Sequence, residues 1–130
     1  MHIILADSHP QALWALKIML QEKPEIEVIG EVIDAESLLA LALIHPPDLI
    51  LIDMGLPGRS IEDLITDLHS CQSRPIVVVM STKPENGRMM LNAGADAFIS
   101  KGDQPEWLLE TLQKYEKRFR KKENSLSSSA

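Results

Sequence analysis

The sequence predicts a three-layer α/β/α sandwich: a five-stranded parallel sheet with helices on both faces and right-handed crossovers. Three observations predict it. Short apolar runs alternate with amphipathic stretches five times along the chain. The third run, Leu49-Ile50-Leu51-Ile52, is apolar at every position, as in a parallel strand covered on both sides. Polar residues follow four of the runs (Asp7 and Ser8, Asp53, Ser81 and Thr82, Lys101), at the strand ends where such sheets bind ligands.

The elements follow in order. His2 to Ala6 is a β-type run, and Pro10 to Glu22 carries Leu13, Leu16, Met19 and Leu20 at the spacing of one helix face. Pro10 suits a first helical turn, and Pro24 stops the helix. Val28 to Val32 is the second strand, and Ala35 to His45 a helix halted by Pro46-Pro47. After the third strand, Ile61, Leu64, Ile65 and Leu68 mark the next helix. Ile76 to Met80 is β-branched and continuous, the clearest strand signal in the chain. A short helix over Glu85 to Asn92 ends at Ala93-Gly94, and Ala97-Phe98-Ile99 is the fifth strand. The last helix opens at Asp103-x-x-Glu106, a capping-box pattern with Pro105 in the first turn, and buries Leu108, Leu112, Tyr115 and Phe119.

A length of 130 residues makes one domain, and 45% apolar with 25% charged residues is the balance of a globular chain. Trp14, Phe98, Trp107, Tyr115 and Phe119 are the only aromatics, so the core is mainly aliphatic. The single cysteine, Cys71, excludes an internal disulfide and a Cys-rich zinc site. No apolar run nears the ~18 residues that span a bilayer. Asp7, Ser8 and His9 interrupt the apolar start that a secretory signal needs, so a cytoplasmic setting with no membrane partner is expected. Charge is uneven. Residues 1–116 hold 18 acids against 8 bases, while 117–130 hold five bases and one acid. The acidic body disfavours nucleic acid. The run Lys117-Arg118-Phe119-Arg120-Lys121-Lys122 reads more simply as bases opposing a helix macrodipole than as a binding patch. His2, His9, His45 and His69 show no ligand spacing, and His9 reads as a helix-start residue. After Glu123 the chain has nothing to bury, so residues 1–122 are read as the domain and 123–130 as a disordered tail or linker stub.

Over roughly residues 2–120 the sequence resembles the receiver domain of two-component response regulators. The likeness is carried by Ile3 to Pro10, Pro47 to Gly58, Pro75 to Ser81 and Gly94 to Lys101, in that order and spacing. The Asp7-x-His9-Pro10 opening and Val28-Ile29-Gly30-Glu31 resemble the branch with a LuxR-type helix-turn-helix output. The resemblance implies a flavodoxin-like (βα)5 fold, strand order 2-1-3-4-5. It implies Asp53 as phosphoacceptor from a sensor histidine kinase, and Mg2+ held by Asp7, Asp53 and the backbone carbonyl of Gly55. By the same resemblance Lys101 pairs with the phosphoryl group, while Ser81, Thr82 and Phe98 form the switch. A homodimer is a family possibility, and DNA would be contacted only through an output domain outside this chain.

Three departures from the family stand out. Ser8 replaces the second of two adjacent acids, the one that by resemblance touches the metal, so reduced Mg2+ affinity is expected. The span from Ser81 to Gly94 is slightly shorter than usual and carries Pro84. Ile61 and Gly102 stand where glycine and proline are common. Ser8 keeps open a pseudo-receiver that works by phosphate-independent contacts. An aspartyl phosphatase is disfavoured because Gly55 stands where such enzymes resemble one another in a second aspartate. A dinucleotide-binding domain lacks its Gly-rich turn after the first strand.

Overall fold

β-Branched and leucine-rich runs supply the strands of the computed structural model, which describes residues 1–128: β1 (His2–Ala6), β2 (Glu27–Val32), β3 (Leu49–Asp53), β4 (Ile76–Ser81) and β5 (Ala97–Ser100). All pairings are parallel and the order is β2-β1-β3-β4-β5, as expected. Between them run α1 (Pro10–Gln21), α2 (Ala35–Ile44), α3 (Ile61–His69), α4 (Gly87–Asn92) and, last, α5 (Pro105–Ser128). β3, apolar from Leu49 to Ile52, sits at the centre, and its alternation divides the core in two. Ile50 and Ile52 join Leu38 of α2, Leu64, Ile65 and Leu68 of α3 and Met90 of α4 on one face. Leu49 and Leu51 join Leu13 and Leu20 of α1 and Leu108, Leu112 and Tyr115 of α5 on the other.

Local chemistry sets the helix ends. Asp34 caps α2 by accepting from Ser37 N at 2.7 Å, and Ser60 caps α3 by accepting from Asp63 N at 3.2 Å. Gly94, at φ +108°, turns the chain out of α4 in a conformation that side chains resist. Asp96 then ties β5 down by accepting from Val77 N and from His69 Nε2, both at 2.8 Å.

Five expectations need correction. The capping box does not form. Asp103 Oδ2 instead accepts from Ser100 N at 3.2 Å, because α5 starts only at Pro105. The helix expected from Glu85 begins as a 3-10 turn, Pro84–Asn86, before α4, consistent with proline's fixed φ. Phe119 is half-buried, whereas Leu108, Leu112 and Tyr115 are buried. Residues 123–128, expected as a tail, continue α5, since no Gly or Pro stops a run rich in Lys, Arg and Glu. The bases at 117–122 therefore lie inside the helix, with none in its last turn, and the macrodipole does not account for them. Ser129 and Ala130 lie outside the described residues.

Leu112 is fully buried between α5 and the sheet. Leu112→Ala is expected to cost about 2–5 kcal/mol in urea unfolding. Leu43→Ala, at an exposed position of α2, should stay within about 0.5 kcal/mol.

Candidate functional site

The carboxyl ends of the central strands are fixed by backbone ladders that run one residue past them. Asp7 N donates to Val32 O at 3.0 Å, Met54 N to Met80 O at 2.8 Å, and Lys101 N to Ser81 O at 2.7 Å. These bonds hold Asp7, Asp53 and Lys101 on a rigid rim. Asp7 is 0% exposed and Asp53 7%. Two buried carboxylates side by side are costly unless a cation joins them. Lys101 is that cation: its Nζ lies 2.7 Å from Asp7 Oδ2 and 2.8 Å from Asp53 Oδ1. An apolar cleft of about 580 Å3 between α1 and α5 reaches Asp7 and Lys101, lined by Leu16, Met19 and Leu108 among others. Low-polarity surroundings of this kind strengthen the ion pair.

The remaining oxygens face other partners. Asp7 Oδ1 accepts from His9 N at 2.9 Å and lies 2.8 Å from His9 Nδ1. An ionised carboxylate only accepts, so Nδ1 carries the hydrogen. Asp53 Oδ2 accepts from Gly55 N at 3.2 Å, which folds the loop after β3 back over the strand end. Burial acts to raise the pKa of Asp7. Hydrogen bonds from Lys101 and His9, with the charge of Lys101, outweigh it and hold the group below the usual aspartate range. Burial likewise acts to lower Lys101, and its bonds to Asp53 and Asp7 raise it above an ordinary lysine.

The other anticipated residues take separate places. Ser81, 6% exposed at the end of β4, accepts at Oγ from Lys83 N and from Asn86 Nδ2, each at 3.1 Å. Thr82 is exposed beside it, and Ser8 is half-buried next to Asp7. Phe98 is half-buried in β5, packed on the core side that holds α4. Its ring closely approaches Gly87, where an added Cβ would lie 3.1 Å from Phe98 Cδ1. Two residues escaped the sequence reading. Among the described residues, Asp7, His9 and Asp53 form a group whose ligand atoms lie within 4.8 Å of one another, which corrects the reading of His9 as a helix-start residue alone. Its signal was the one-residue gap from Asp7 at a strand end. Asn86, which holds Ser81 Oγ, left no comparable signal.

A family model described as the response regulator receiver domain matches residues 3–113. The chain belongs to that family. It is 34% identical over 112 residues to the nitrate/nitrite response regulator NarL of Escherichia coli K12, which spans 85% of this chain and 52% of NarL. It is 30% identical over 103 residues to the DNA-binding transcriptional activator EvgA of the same organism, 78% of this chain and 50% of EvgA. The receiver thus spans about half the length of the curated relatives it matches. Among solved structures, the receiver domain of the putative regulator NarL from Mycobacterium tuberculosis superposes with TM-score 0.80 at 23% identity, covering 89% of this chain and 95% of that one. RcsB from Salmonella enterica serovar Typhimurium, bound to a promoter with phosphomimetic BeF3-, gives TM-score 0.80 at 21% identity over 96% of this chain and 67% of RcsB. At those identities the likeness bears on the fold. The receiver is a signalling domain, and none of its helices among the described residues is long and apolar enough to cross a membrane.

The donor set of this receiver suits a divalent cation. Asp7 and Asp53 offer buried carboxylate oxygens, and each keeps one oxygen away from Lys101. The ion pair itself sets a pH dependence. Asp7 has a depressed folded pKa, so its contribution is present above about pH 4 and is lost as pH falls through the lower folded value. Lys101 has a raised one, so its contribution holds up to about pH 10 and fades as pH rises through the folded value. Urea midpoints should therefore drop on acidification below about pH 4. Asp7→Asn should show a flatter acid limb, and equal limbs in the two proteins would exclude this role for Asp7.

Proposed function

We propose that this receiver accepts a phosphoryl group on Asp53 from the phosphohistidine of a sensor histidine kinase and switches conformation to control an output. The observation that carries the reading is the Lys101 Nζ bridge between Asp7 and Asp53 at the strand ends. An aspartate attacks phosphorus only where the charge that accumulates on the phosphoryl oxygens is neutralised. In the step, Asp53 Oδ1 or Oδ2 bonds to phosphorus, the phosphorus–nitrogen bond breaks, and the kinase imidazole leaves with the electron pair. Asp53 then carries an acyl phosphate. A bound Mg2+ would supply Lewis-acid neutralisation of those oxygens. Asp7, Asp53 and the carbonyl of Gly55 are the residues to hold it, with Ser8 a neutral neighbour where an acid would strengthen the site.

Lys101 then has a role on each side of the step. Before it, Nζ holds Asp53 in place; after it, the same ammonium pairs with the phosphoryl group as a point charge. Ser81 Oγ can exchange its Asn86 and Lys83 donors for the role of donor to a phosphoryl oxygen. Asn86 immediately precedes Gly87, and Gly87 lies against Phe98. Release of Asn86 would therefore reach the switch aromatic through two adjoining contacts, with Thr82 moving in the same loop. By similarity to EvgA, a DNA-binding transcriptional activator, the controlled output is transcription, carried by a DNA-binding region outside this chain. A phosphate-independent receiver is the second reading, and Ser8 is the residue that favours it.

Intact mass after incubation with acetyl phosphate and Mg2+ separates the two. A single phosphate adduct that disappears in Asp53→Ala is expected, and Ser8→Asp should reach the same yield at lower Mg2+. No adduct at millimolar Mg2+ would leave the phosphate-independent reading standing.

A further inference from the structure

We infer that the cation pocket is a mixed nitrogen–oxygen site, in which His9 Nδ1 joins the carboxylates of Asp7 and Asp53 and shifts preference from Mg2+ toward a borderline ion such as Mn2+ or Zn2+. The inference rests on the reading that a divalent cation binds beside Asp53. Its own support is the placement of His9. One ligand atom each from Asp7, His9 and Asp53 falls within 4.8 Å of the others. A shared ion with bonds of about 2.0–2.2 Å spreads its ligands over roughly 3–4 Å, so only a small closure is needed. His9 Nδ1 lies 2.8 Å from Asp7 Oδ1, a hydrogen-bond length that opens only slightly to reach that spread.

Lys101 bonds one oxygen of each carboxylate, Asp7 Oδ2 and Asp53 Oδ1, while Asp7 Oδ1 faces His9 and Asp53 Oδ2 accepts from Gly55 N. The His9 backbone is held at both ends. Its N–H donates to Asp7 Oδ1, and its carbonyl accepts from Ala12 N at 3.1 Å and Leu13 N at 3.2 Å as α1 begins. The imidazole is therefore presented by a rigid strand-to-helix corner, and binding needs little further ordering. For Nδ1 to coordinate, its hydrogen must leave so that the lone pair faces the ion. Histidine's side chain is 68% exposed here, which leaves Nε2 free to bond water.

The donor chemistry decides the preference. Mg2+ favours hard oxygens and several waters, and the neutral Ser8 removes one carboxylate from its set. Imidazole suits later first-row ions, whose affinity for nitrogen donors rises along the Irving–Williams order. Ser8 thus weakens one class of ion, while His9 strengthens the other.

Calorimetric titration of the metal-free full chain with MgCl2, MnCl2 and ZnCl2 tests this, with His9→Ala, His9→Gln and Asp53→Asn as variants and circular dichroism as the check on folding. Zn2+ affinity should fall roughly tenfold or more in both His9 variants, with Mg2+ affinity changing less than about threefold. Asp53→Asn should weaken every ion. In parallel, the His9 Nδ1 resonance in a long-range nitrogen–proton spectrum should shift as Zn2+ is added. Equal losses for Mg2+ and Zn2+ in the His9 variants, or an unmoved Nδ1 resonance while Zn2+ binds, would overturn the mixed site and leave the phosphoacceptor reading intact. Absence of any divalent binding that depends on Asp53 would overturn both.

Discussion

Two carboxylates buried at neighbouring strand ends repel each other and lose hydration, and everything at the top of this sheet follows from how that cost is met. Asp7 ends β1 and Asp53 ends β3, adjacent strands whose register pairs Ala6 with Ile52. A single ammonium, Lys101, bridges them from the far side of the sheet, across β4. That bridge forms only if β1, β3 and β5 stop at matching heights. The ladders that extend past each strand enforce this, and the apolar residues Leu49 to Ile52 of β3 anchor both core faces beneath it. The fold therefore acts on function through register. A one-residue slip in β5 would turn Lys101 to the other face and strand two buried acids.

Much of this was legible before the structure because the signals are redundant. β3 and β4 are marked by continuous β-branched and leucine runs, and the helices by apolar spacing that the core then uses residue by residue, as with Ile61, Leu64, Ile65 and Leu68. Asp7, Asp53, Ser81 and Lys101 were marked by position alone, as the polar residues that end apolar runs. What escaped depends on competition between local options. Asp103 could cap α5 or bond back to Ser100, and only the start of the helix at Pro105 decides. The polar segment after Glu123 offers nothing to bury, but it also lacks a residue that breaks a helix already running. His9 escaped because it lies next to a helix start, a sufficient explanation until the fold brings Asp53 to the same corner.

The loop after β4 shows how little machinery the proposed switch would need. Ser81 Oγ is satisfied inside its own loop, by Lys83 N and Asn86 Nδ2. The hydroxyl is therefore comfortable without phosphate, and any new partner must offer a charge-assisted bond worth roughly twice a neutral one. A phosphoryl oxygen does. Asn86 ends a single 3-10 turn, and only the six residues of α4 follow it, so little packing resists its movement. Proline at 84 limits that movement to few conformations, which favours two defined states over a broad spread.

The ion pair that holds the pocket together also leaves it open to change. A buried pair of this kind contributes little net stability, yet losing one partner is costly, about 3–5 kcal/mol, because it strands the other charge. The pocket accordingly tolerates an added charge better than a deleted one. A cation that binds at Asp7 Oδ1 and Asp53 Oδ2 meets oxygens Lys101 does not use, so it need not break the bridge. A phosphoryl group on Asp53, as proposed, would keep Lys101 supplied with an anion in the same place. Each proposed step would thus exchange one partner for another without leaving a buried charge alone. Ser8 bears on the first exchange only: it lowers the negative charge that draws a cation in, but leaves the Lys101 bridge as it stands.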